Sequence, residues 1–569
     1  IVTILCVPVF AQNISGHIMT NDESGNMIGL PGANIVWLNT TKGTVSAEDG
    51  SFTLAKTDPA QIYFVVSFVG YENDTIDARS NTKFHIMLEP STELNTVEVE
   101  GSVSGKVANT TNPINTETLN KKELLKAACC NLSESFETNN TVDAEFSDAI
   151  TGAKTIKLLG LDGVYSQIMV ENMPNVRGLA SSYGLTFIPG PWLESIQITK
   201  GPGSVVNGYE GITGAINTEL KKPFDIDEER ALINLYASNS GRYEGNVLYK
   251  HLFNEKWSTA LYAHTSQLQT KLDHNADGFL DAPLNSTYAV MNKWNYFSPK
   301  NYEAQFGVKY VSSDLTGGQL NYNKQQEPGV NNGYGVNVNI NRFEAFMKNG
   351  FVFTRPKTSI GTILNFASHQ QNSLFGLNEY LGNELYASAN FIFETYIKNT
   401  NNTIKTGLSY LYNNFDETFQ GIDYLREESV PGVFAEYQYK PSEKLSVLVG
   451  ARADYHNLYG TFLTPRVHFK YNAFKATTFR ASVGKGYRTA NVFAENTSLL
   501  TSNRALQISS NLLPEEGWNY GFTIIQPFEL NHNEGTLTFD VYRTDFVNQV
   551  VVDIDASSDS IYIYNLKGD

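Results

Sequence analysis

Residues 193–223 read LESIQITKGPGSVVNGYEGITGAINTELKKP, and they are unusually rich in glycine and in β-branched residues. This segment contains two short β-branched runs, 196–199 and 212–218, with glycines between and around them. The glycines in and between them are Gly201, Gly203, Gly208, Gly211 and Gly214. Because glycine adopts positive φ and lets one backbone approach another, this composition predicts short strands packed tightly together. The residues before the segment read as a small soluble domain and those after it as repeated strands, so it is predicted to join two architectures.

The composition limits the class of protein. The chain has 569 residues, a formal net charge of −17 and a pI of about 5.1, which argues against nucleic acid as a partner. Aromatic residues make up 12% of the sequence and glycine occurs 44 times. Such a composition is typical of β-sandwich arrays and of transmembrane β-barrels with aromatic girdles. No apolar run reaches the ~18 residues that indicate a transmembrane helix.

The first residues, IVTILCVPVFAQ, are predicted to be the remnant of a signal peptide at 1–12 whose start is missing. The predicted cleavage follows Ala11, so Cys6 would be removed with the peptide. The other two cysteines, Cys129 and Cys130, are adjacent in the chain. An adjacent pair is not a disulfide framework, which leaves two reduced thiols, a strained local disulfide or a metal-binding pair as alternatives.

Residues 13–90 are predicted to form a small β-sandwich, because short alternating strands are separated by polar turns. The predicted strands are 14–19, 33–38, 51–54, 62–68 and 83–88. No zinc-ligand spacing is present in this unit. Its two histidines, His17 and His85, lie far apart in the chain and are interpreted as unpaired.

The segment at 193–223 carries a long pattern with specific spacing, E-x-I-x-I-x-K-G-P-x-S followed by two spaced glycines and I-N. Its residues here are Glu194, Ile196, Ile198, Lys200, Gly201, Pro202, Ser204, Gly208, Gly214, Ile216 and Asn217. This pattern resembles the end of the plug domain of TonB-dependent outer-membrane receptors. The strings GLPGANIVWLNTTKGTVSAEDGSF and VSFVGYE, within 29–72, resemble the carboxypeptidase-regulatory-like domain that precedes such receptors in Bacteroidota.

The resemblance implies an all-β transmembrane barrel of the 22-stranded type, incomplete here, with an α+β plug domain and the N-terminal β-sandwich. It predicts a signal-peptide remnant at 1–12, a carboxypeptidase-regulatory-like sandwich at 13–90, a linker at 91–114, a plug at 115–223 and a barrel at 224–569. The linker contains LNTVEVEG at 94–101, which resembles a TonB box. Its residues Thr96, Val97, Glu98 and Val99 would bind TonB by adding an extended strand to the edge of a TonB sheet.

Within the plug, residues 118–128 are predicted to be a short helix with Thr118 as its N-cap. In related receptors the plug apex contacts the ligand. The resemblance therefore implies ligand-binding roles for Tyr165, Met169, Met173, Tyr183 and Phe187, although simple packing also accounts for them. The two methionines could instead form a soft-metal relay with Cys129 and Cys130, or fill the plug core. Many receptors have Asp-Gly where this chain has Glu171-Asn172, so the resemblance predicts neither the conformation of that turn nor a ligand role for it.

From residue 231 onward apolar and polar residues alternate, and short connections alternate with long ones, as in a barrel with short periplasmic turns and long external loops. Long external loops are predicted at 267–285, 312–339, 370–383, 415–429 and 489–514. The pattern gives about 15 strands, fewer than the ~22 of plugged transporters. Because the chain ends at Asp569 without a terminal aromatic strand, the remaining strands are expected to be missing. Arg452, Arg466 and Arg480 are predicted to line the lumen.

No catalytic pattern occurs, so no enzymatic activity and no required cofactor are predicted. The string DHNADGFLD at 273–281 has the spacing of a calcium loop, in which alternate side-chain oxygens converge on the ion. The predicted ligands are Asp273, Asn275, Asp277 and Asp281. The alternative is an Asx-turn in a polar loop.

The resemblance predicts import of a scarce metal chelate or vitamin, namely a siderophore, a copper complex, cobalamin or haem. The expected location is the outer membrane of a Gram-negative cell, with the sandwich and TonB box in the periplasm. The expected partners are TonB with its inner-membrane energising complex, the ligand and outer-membrane lipid, but not nucleic acid. Uptake of glycans is one alternative, and a surface adhesin or signalling receptor that does not transport is another.

Overall fold

A computed structural model describes most of the chain. The described residues are 12–21, 27–38, 40, 42–47, 49–56, 61–68, 71, 74–79, 81–88, 106–108, 112–126, 130–137, 139–148, 150–225, 229–329, 331–473, 477–530 and 533–566. The chain divides into two compact units, Ile1–Ser104 and Gly105–Asp569.

The N-terminal unit is a sandwich of two four-stranded sheets around one apolar core. Its strands are β1 (Gln12–Asn21), β2 (Met27–Gly29), β3 (Asn34–Trp37), β4 (Gly43–Val45), β5 (Ser51–Lys56), β6 (Tyr63–Ser67), β7 (Asp74–Asp77) and β8 (Lys83–Met87). One sheet pairs β1 with β2, β5 and β8, and the other has the order β4-β3-β6-β7. The predicted sandwich is confirmed, although β2, β4 and β7 were too short to be recognised from alternation.

The plug is built on a six-stranded sheet of order β15-β14-β17-β16-β10-β9, with a second sheet of order β11-β12-β13. Its strands are β9 (Lys106–Ala108), β10 (Thr116–Leu119), β11 (Val142–Phe146), β12 (Lys154–Leu158), β13 (Leu161–Asp162), β14 (Ser166–Val170), β15 (Met173–Val176), β16 (Leu193–Lys200) and β17 (Gly214–Leu220). Short 3₁₀ helices connect them at Glu134–Phe136, Gly163–Tyr165, Gly178–Ala180, Gly184–Phe187, Gly190–Trp192 and Val205–Asn207. Among the plug strands, β14 and β17 pair in parallel.

The helix predicted at 118–128 is mostly wrong. Residues up to Leu119 belong to β10, which pairs with β16, so that Leu119 lies opposite Ile196 in the plug core. A single helical turn, α1 (Lys121–Leu124), follows. Its N-cap is Asn120 rather than Thr118, and the Asn120 side chain accepts a hydrogen bond from the backbone N of Lys122 at 3.1 Å. Burial of Leu119 in the sheet outweighs the local capping signal.

In the residues that the structure describes, the barrel wall is one sheet of 15 antiparallel strands in sequence order, which agrees with the predicted number of about 15. They are β18 (Ala231–Ala237), β19 (Arg242–Leu252), β20 (Trp257–Leu268), β21 (Leu284–Ser298), β22 (Tyr302–Gly318), β23 (Gly335–Val352), β24 (Ser359–Phe375), β25 (Asn378–Tyr396), β26 (Asn402–Phe419), β27 (Ile422–Ser442), β28 (Leu445–His456), β29 (Gly460–Ala473), β30 (Thr477–Arg488), β32 (Glu515–Leu530) and β33 (Asn533–Val547).

Strand β29 illustrates how alternation positions the two faces of the wall. Leu463 and Phe469 face outward and are exposed in the isolated chain, whereas Thr464, Arg466 and His468 face inward and are buried. Successive side chains of a strand point to opposite faces, so this pattern gives an apolar outer surface and a polar inner one. Among the residues that the structure describes, no helix is long and apolar enough to span a membrane.

Two of the predicted long loops are wrong. At 370–383 and 415–429 the strands continue as hairpins, and their connections are only residues 376–377 and 420–421. Positive φ values at Gly376 and Gly421, 65° and 77°, permit these tight turns. The loop predicted at 312–339 is also shorter, because β22 and β23 extend to Gly318 and from Gly335.

The long connection at 489–514 has its own structure. It contains α2 (Val492–Glu495), α3 (Thr497–Leu500) and β31 (Ala505–Ile508). Strand β31 joins β34 (Val550–Asp553) and β35 (Ser560–Asn565) in a small sheet of order β31-β35-β34. We call the end of the barrel that carries this connection the long-loop end.

Candidate functional site

The glycine-rich segment at 193–223 forms the inner strands of the plug and a turn that touches the barrel wall. Strands β16 and β17 pair in antiparallel fashion, with Ile198 opposite Ile216 in the plug core. The connecting turn approaches the wall where barrel strands carry glycine. A Cβ atom on Gly484 would lie 2.7 Å from Cβ of Pro202, and one on Gly450 would lie 2.8 Å from Cγ2 of Val205. These barrel glycines therefore leave the space that the turn occupies.

Arginines of the wall hold the same turn by its carbonyl groups. Arg466 donates to the carbonyl oxygens of Ser204 at 3.0 Å and Glu210 at 2.9 Å. Arg452 donates to the carbonyl oxygen of Val205 at 3.4 Å. A guanidinium offers five donors in a planar fork, so it satisfies several carbonyls that have no strand partner. The prediction that these arginines line the lumen is confirmed.

Lys200, at the end of β16, links the plug to the last barrel strand. Its ammonium group lies 3.0 Å from Oδ2 of Asp540 in the wall and 3.3 Å from Oε2 of Glu117 in the plug. Burial would lower the pKa of Lys200, but the two carboxylates outweigh that effect and raise it. Nearby, Arg480 donates to the carbonyl oxygen of Asn112 at 3.0 Å. The motif lysine is thus charged and paired across the interface.

A second interface lies at the β14–β15 hairpin, where Val170 pairs with Met173. The two residues between them, Glu171 and Asn172, have φ values of 52° and 62°. Positive φ at both central positions defines a two-residue hairpin turn of type I′, which usually selects Asn-Gly or Asp-Gly. Asparagine tolerates this conformation, whereas glutamate adopts it at a cost of about 1 kcal/mol or more. The turn left open by the sequence is therefore the usual tight hairpin with an unusual first residue.

The carboxylate of Glu171 accounts for that residue choice. It is buried and pairs with three ammonium groups: Lys293 of the wall, Lys222 of the plug at 3.2 Å and Lys348 of the wall at 3.3 Å. Burial alone would raise the pKa of Glu171, but these three charges, with Lys293 first, hold the pKa well below its usual range. We call Glu171 and these three lysines the hairpin ion cluster. It joins the plug hairpin to two barrel strands.

The hairpin ion cluster was not found from the sequence. A partial signal was present, because Lys293 and Lys348 occupy inward positions of strands whose outward positions are apolar. Their common partner is remote in the chain, so alternation alone could not identify Glu171.

Tyr165 is the one predicted ligand residue that lines a polar cavity. Its hydroxyl donates to Oε1 of Glu515 at 3.0 Å and accepts from Nε2 of Gln549 at 3.0 Å. The cavity is also lined by Arg177, Glu210, Arg488 and Glu495. Since Arg488 ends β30 and Glu515 begins β32, the cavity lies at the long-loop end of the barrel.

The other four predicted ligand residues are buried among plug and wall side chains. Met173 and Phe187 line a mostly apolar cavity, together with Trp192. Met169 and Tyr183 are buried as well. This placement matches the alternative in which the methionines fill the plug core. Ligand contact by these residues stays a prediction.

A cover formed by residues 489–500 lies over the plug at the long-loop end. Ser182 of the plug donates to the carbonyl oxygen of Ala494. Phe493 packs against Tyr380, Phe419 and Tyr424, with ring centroids 4.8 to 5.8 Å apart. Sequence reasoning assigned this segment to a loop and missed its apolar anchor, although Phe493 follows a barrel strand within a polar stretch.

The predicted calcium loop is a set of side-chain caps on its own backbone. Asp273 accepts hydrogen bonds from the backbone N of Asp277 at 3.2 Å and of Gly278 at 3.0 Å. The amide of Asn275 donates to Asp277 at 2.9 Å. These contacts match the Asx-turn alternative, because each short polar side chain is satisfied locally.

Asp281, the fourth predicted calcium ligand, pairs with His274. It accepts from the imidazole of His274 and from the backbone N of the same residue at 3.0 Å, and these two bonds, the imidazole bond first, lower the pKa of the Asp281 carboxyl. Across the described part of the chain, no group of three or more His, Cys, Asp or Glu side chains is arranged to hold a metal ion. Calcium binding by this loop stays a prediction.

Three further predictions fall partly or wholly outside the described residues. The signal-peptide remnant predicted at 1–12 is one of them, because the structure describes only its last residue. The TonB-binding segment Thr96, Val97, Glu98 and Val99 lies outside them, and so does Cys129. Cys130 is described and buried, and burial raises the pKa of its thiol well above the usual range. The choice among reduced thiols, a local disulfide and a metal pair therefore stays open.

The match to a protein-family model identifies the family of this chain. The model for the TonB-dependent receptor-like β-barrel matches residues 233–569, more than half of the chain. The chain is a TonB-dependent receptor. The model for the TonB-dependent receptor plug domain matches residues 108–215 of the receptor, and that for the CarboxypepD_reg-like domain matches residues 14–99.

One curated relative matches part of the receptor. TonB-dependent receptor P26 of Formosa agariphila is 24% identical over 245 residues, which cover 40% of this chain and 23% of that protein. The matched stretch therefore spans less than a quarter of the relative's length.

Solved structures share the receptor's fold at low identity. The siderophore receptor PirA of Acinetobacter baumannii matches with a TM-score of 0.59 at 13% identity, covering 79% of this chain and 76% of that one. A mutant of the ferric enterobactin receptor PfeA of Pseudomonas aeruginosa, in complex with enterobactin, matches with a TM-score of 0.62 at 12% identity, covering 80% and 77%. FpvAI in its pyocin S2 complex gives 0.64 at 13% identity, covering 97% and 78%. At these identities the likeness establishes the architecture only.

TonB-dependent receptor barrels reside in the outer membrane, and the family is one of transporters and receptors. The prediction of an outer-membrane receptor of the Bacteroidota type, with a plug and a carboxypeptidase-regulatory-like domain, is confirmed.

Proposed function

We propose that this receptor imports a scarce metal chelate or vitamin, such as a siderophore, a copper complex, cobalamin or haem, with energy delivered through TonB. The observation that carries the proposal is the polar cavity at the long-loop end, where Tyr165, Arg177 and Arg488 meet. Arg177 pairs with Glu210 at 3.0 Å, and Arg488 pairs with Glu495 and Glu515. A carboxylate, catecholate or phosphate group of a ligand would bind here by exchanging with one of these carboxylates. A ligand entering from the long-loop end would meet the 489–500 cover first and this cavity next.

The interface between plug and wall supports the transport step. The plug is held to the wall by charged and hydrogen-bonded contacts, at Lys200, Arg466 and the hairpin ion cluster, and also by an apolar cluster that plug and wall side chains share. Water that enters the interface can replace the polar contacts, so a pulling force would have to supply mainly the cost of exposing the apolar side chains. Thr96–Val99 is the segment that TonB would pair with, as an added strand.

Two structurally similar receptors support the ligand class. PirA is described as a siderophore receptor and PfeA was solved with enterobactin. The chelate itself is the part of the proposal that needs experiment.

Growth of a strain that lacks the receptor tests the ligand class. Cells are grown under separate limitation for iron as defined siderophore complexes, copper, cobalamin and haem, and with a glycan as sole carbon source. We expect a growth defect under one of the metal or vitamin limitations, restored by the wild-type gene. A defect only on the glycan, or no defect in any medium, would contradict the proposal.

A further inference from the structure

The N-terminal sandwich contains the tripeptide His-Ile-Met twice. It occurs at His17–Met19 in β1 and at His85–Met87 in β8, and these two strands are far apart in the sequence. The two strands are neighbours and run parallel. Their register places His17 opposite His85 and Met19 opposite Met87. The interpretation of these histidines as unpaired is therefore wrong, because strand pairing brings them together.

Both copies present the same side chains outward. The central residues, Ile18 and Ile86, are buried in the sandwich core. Since successive side chains of a strand alternate between faces, the histidines and methionines lie on the opposite, outer face. His17 and His85 are exposed, Met87 is 36% exposed and Met19 is half-buried. Two imidazoles and two thioethers thus form one patch.

The two imidazoles are already close and aligned. Their ring centroids lie 5.7 Å apart and their planes differ by only 8°. An ion held by both rings needs nitrogen atoms roughly 3.3 to 4 Å apart, because a metal–imidazole bond is ~2.0–2.1 Å long and the two bonds meet at an angle between tetrahedral and linear. Exposed side chains change rotamer without disturbing a core, so a small rotation of each ring meets this requirement. The methionines are flexible enough to follow.

We propose that His17, Met19, His85 and Met87 form a binding site for a single copper ion, with preference for Cu(I). Imidazole binds copper, zinc and nickel alike, whereas thioether sulfur selects soft ions, and Cu(I) is the common ion that accepts both.

The site is independent of the proposed transport function, because it uses no residue of the plug or barrel. It is also chemically distinct from the predicted calcium loop, whose ligands are all oxygen atoms. A receptor that imports any of the proposed ligands could carry it.

Competition for Cu(I) tests the site. The purified full-length receptor in detergent is titrated anaerobically, with ascorbate, against a chromogenic Cu(I) chelator. The variants are His17→Gln/His85→Gln and Met19→Leu/Met87→Leu. The matched control is His274→Gln, which removes an imidazole whose side chain is 76% exposed in a barrel loop. Thermal unfolding verifies that all the proteins are folded. The substituted side chains face outward, so their replacement should leave the sandwich core intact.

We expect the wild type and the His274→Gln control to bind one more equivalent of Cu(I) than the histidine double variant. The methionine double variant should weaken Cu(I) binding by about tenfold or more while leaving Zn(II) binding unchanged, because only the soft ion uses the sulfur atoms. X-ray absorption of the copper-loaded wild type should show both nitrogen and sulfur neighbours. Equal Cu(I) affinity in all four proteins would overturn the proposal. So would equal losses of Cu(I) and Zn(II) in the methionine variant, which would exclude the thioethers as ligands.

Discussion

Glu171 is the residue on which the plug hairpin depends. It adopts positive φ, which disfavours glutamate, and its buried carboxylate faces three lysines, of which Lys293 is fully buried. A buried charge is tolerable only with its partners, so each member of the hairpin ion cluster requires the others. The strained backbone and the paired charge therefore stabilise one specific position of the hairpin against the wall.

Substitution Glu171→Gln should loosen the hairpin, because it leaves the buried Lys293 ammonium without a counter-charge. Removing one partner of a buried pair costs about 3 kcal/mol or more. Native-state hydrogen exchange of the amides at 166–176 measures the effect, with faster exchange expected. The control is Glu171→Gln/Lys293→Met, which removes both charges and should recover most of the protection. Equal exchange in wild type and the single variant would show that the cluster does not hold the hairpin.

The same carboxylate predicts a dependence on pH. The folded-state pKa of Glu171 lies well below its ordinary value of 4.5, so the unfolded chain takes up the proton at higher pH than the folded one. The stabilisation is then complete above about pH 5 and is lost as pH falls below 4.5 toward the folded-state pKa. Protection factors at 166–176, corrected for intrinsic exchange, should fall in that acid range in the wild type and stay flat in Glu171→Gln. A parallel fall in both proteins would contradict this origin.

Calcium binding at 273–281 can be separated from simple capping. If the loop binds calcium, isothermal titration of the purified receptor should give heat that disappears in Asp273→Ala/Asp277→Ala. Local hydrogen bonds already occupy both carboxylates, so capping alone predicts equal heats for the two proteins. Equal heats for the two proteins would therefore contradict calcium binding by this loop.

The turn that follows β16 depends on glycines in the facing barrel strands. At Gly484 a side chain would meet Pro202 at 2.7 Å, and at Gly450 it would meet Val205 at 2.8 Å. Overpacking of a close contact usually costs about 1–3 kcal/mol or forces the elements apart. The turn of the plug therefore fits against the wall because the facing barrel strands carry glycine, and because the turn itself contains glycines.

Substitution Gly484→Val should displace this turn and leave the barrel leaky. Purified protein in planar bilayers should then show larger or more frequent open-channel currents than the wild type. Gly350→Val is the matched control, because it lies in another barrel strand and has no atom within 4 Å of the added Cβ position. Wild-type currents in Gly484→Val, or equal leakage in both variants, would show that the glycine contact does not seat the plug.

The barrel strands were predictable because each pairs with its neighbour in sequence. A period of two then identifies the strand and the face together, and it correctly placed Arg452, Arg466 and Arg480 inside. Loop lengths were less predictable. The strands that meet at residues 376–377 and 420–421 extend beyond the residues that show apolar alternation. Near these turns, Tyr380 and Phe419 pack against Phe493 of the 489–500 cover, and this remote contact stabilises the longer hairpins.

Contacts between remote segments could not be derived from local pattern. Glu171 meets Lys293, and His17 meets His85, only through the register of strands that are far apart in sequence. The helix predicted at 118–128 is wrong for the same reason, because Leu119 pairs with Ile196 of a strand that is remote in sequence. The repeated His-Ile-Met tripeptide was the one sequence signal that could have suggested the copper site.

The whole molecule combines a sandwich, a plug and a barrel wall in one receptor chain. The plug is fixed to the wall at the Lys200 pair, at the glycine-lined turn and at the hairpin ion cluster, and the 489–500 cover lies over it. In the proposed cycle the ligand meets the cover and the cavity around Tyr165, and force applied through Thr96–Val99 separates the plug from these contacts. Transport would then depend on the four residues Thr96–Val99, the segment that TonB would bind.

Uptake of labelled ligand with and without those four residues tests the central claim most directly. Cells that express the wild type, or a variant lacking Thr96–Val99, are supplied with the labelled form of whichever ligand the growth screen identifies. Binding at the cell surface should be equal, while accumulation inside the wild-type cells should exceed that in the variant and should collapse with an uncoupler. Equal, uncoupler-insensitive accumulation in both strains would contradict TonB-driven import.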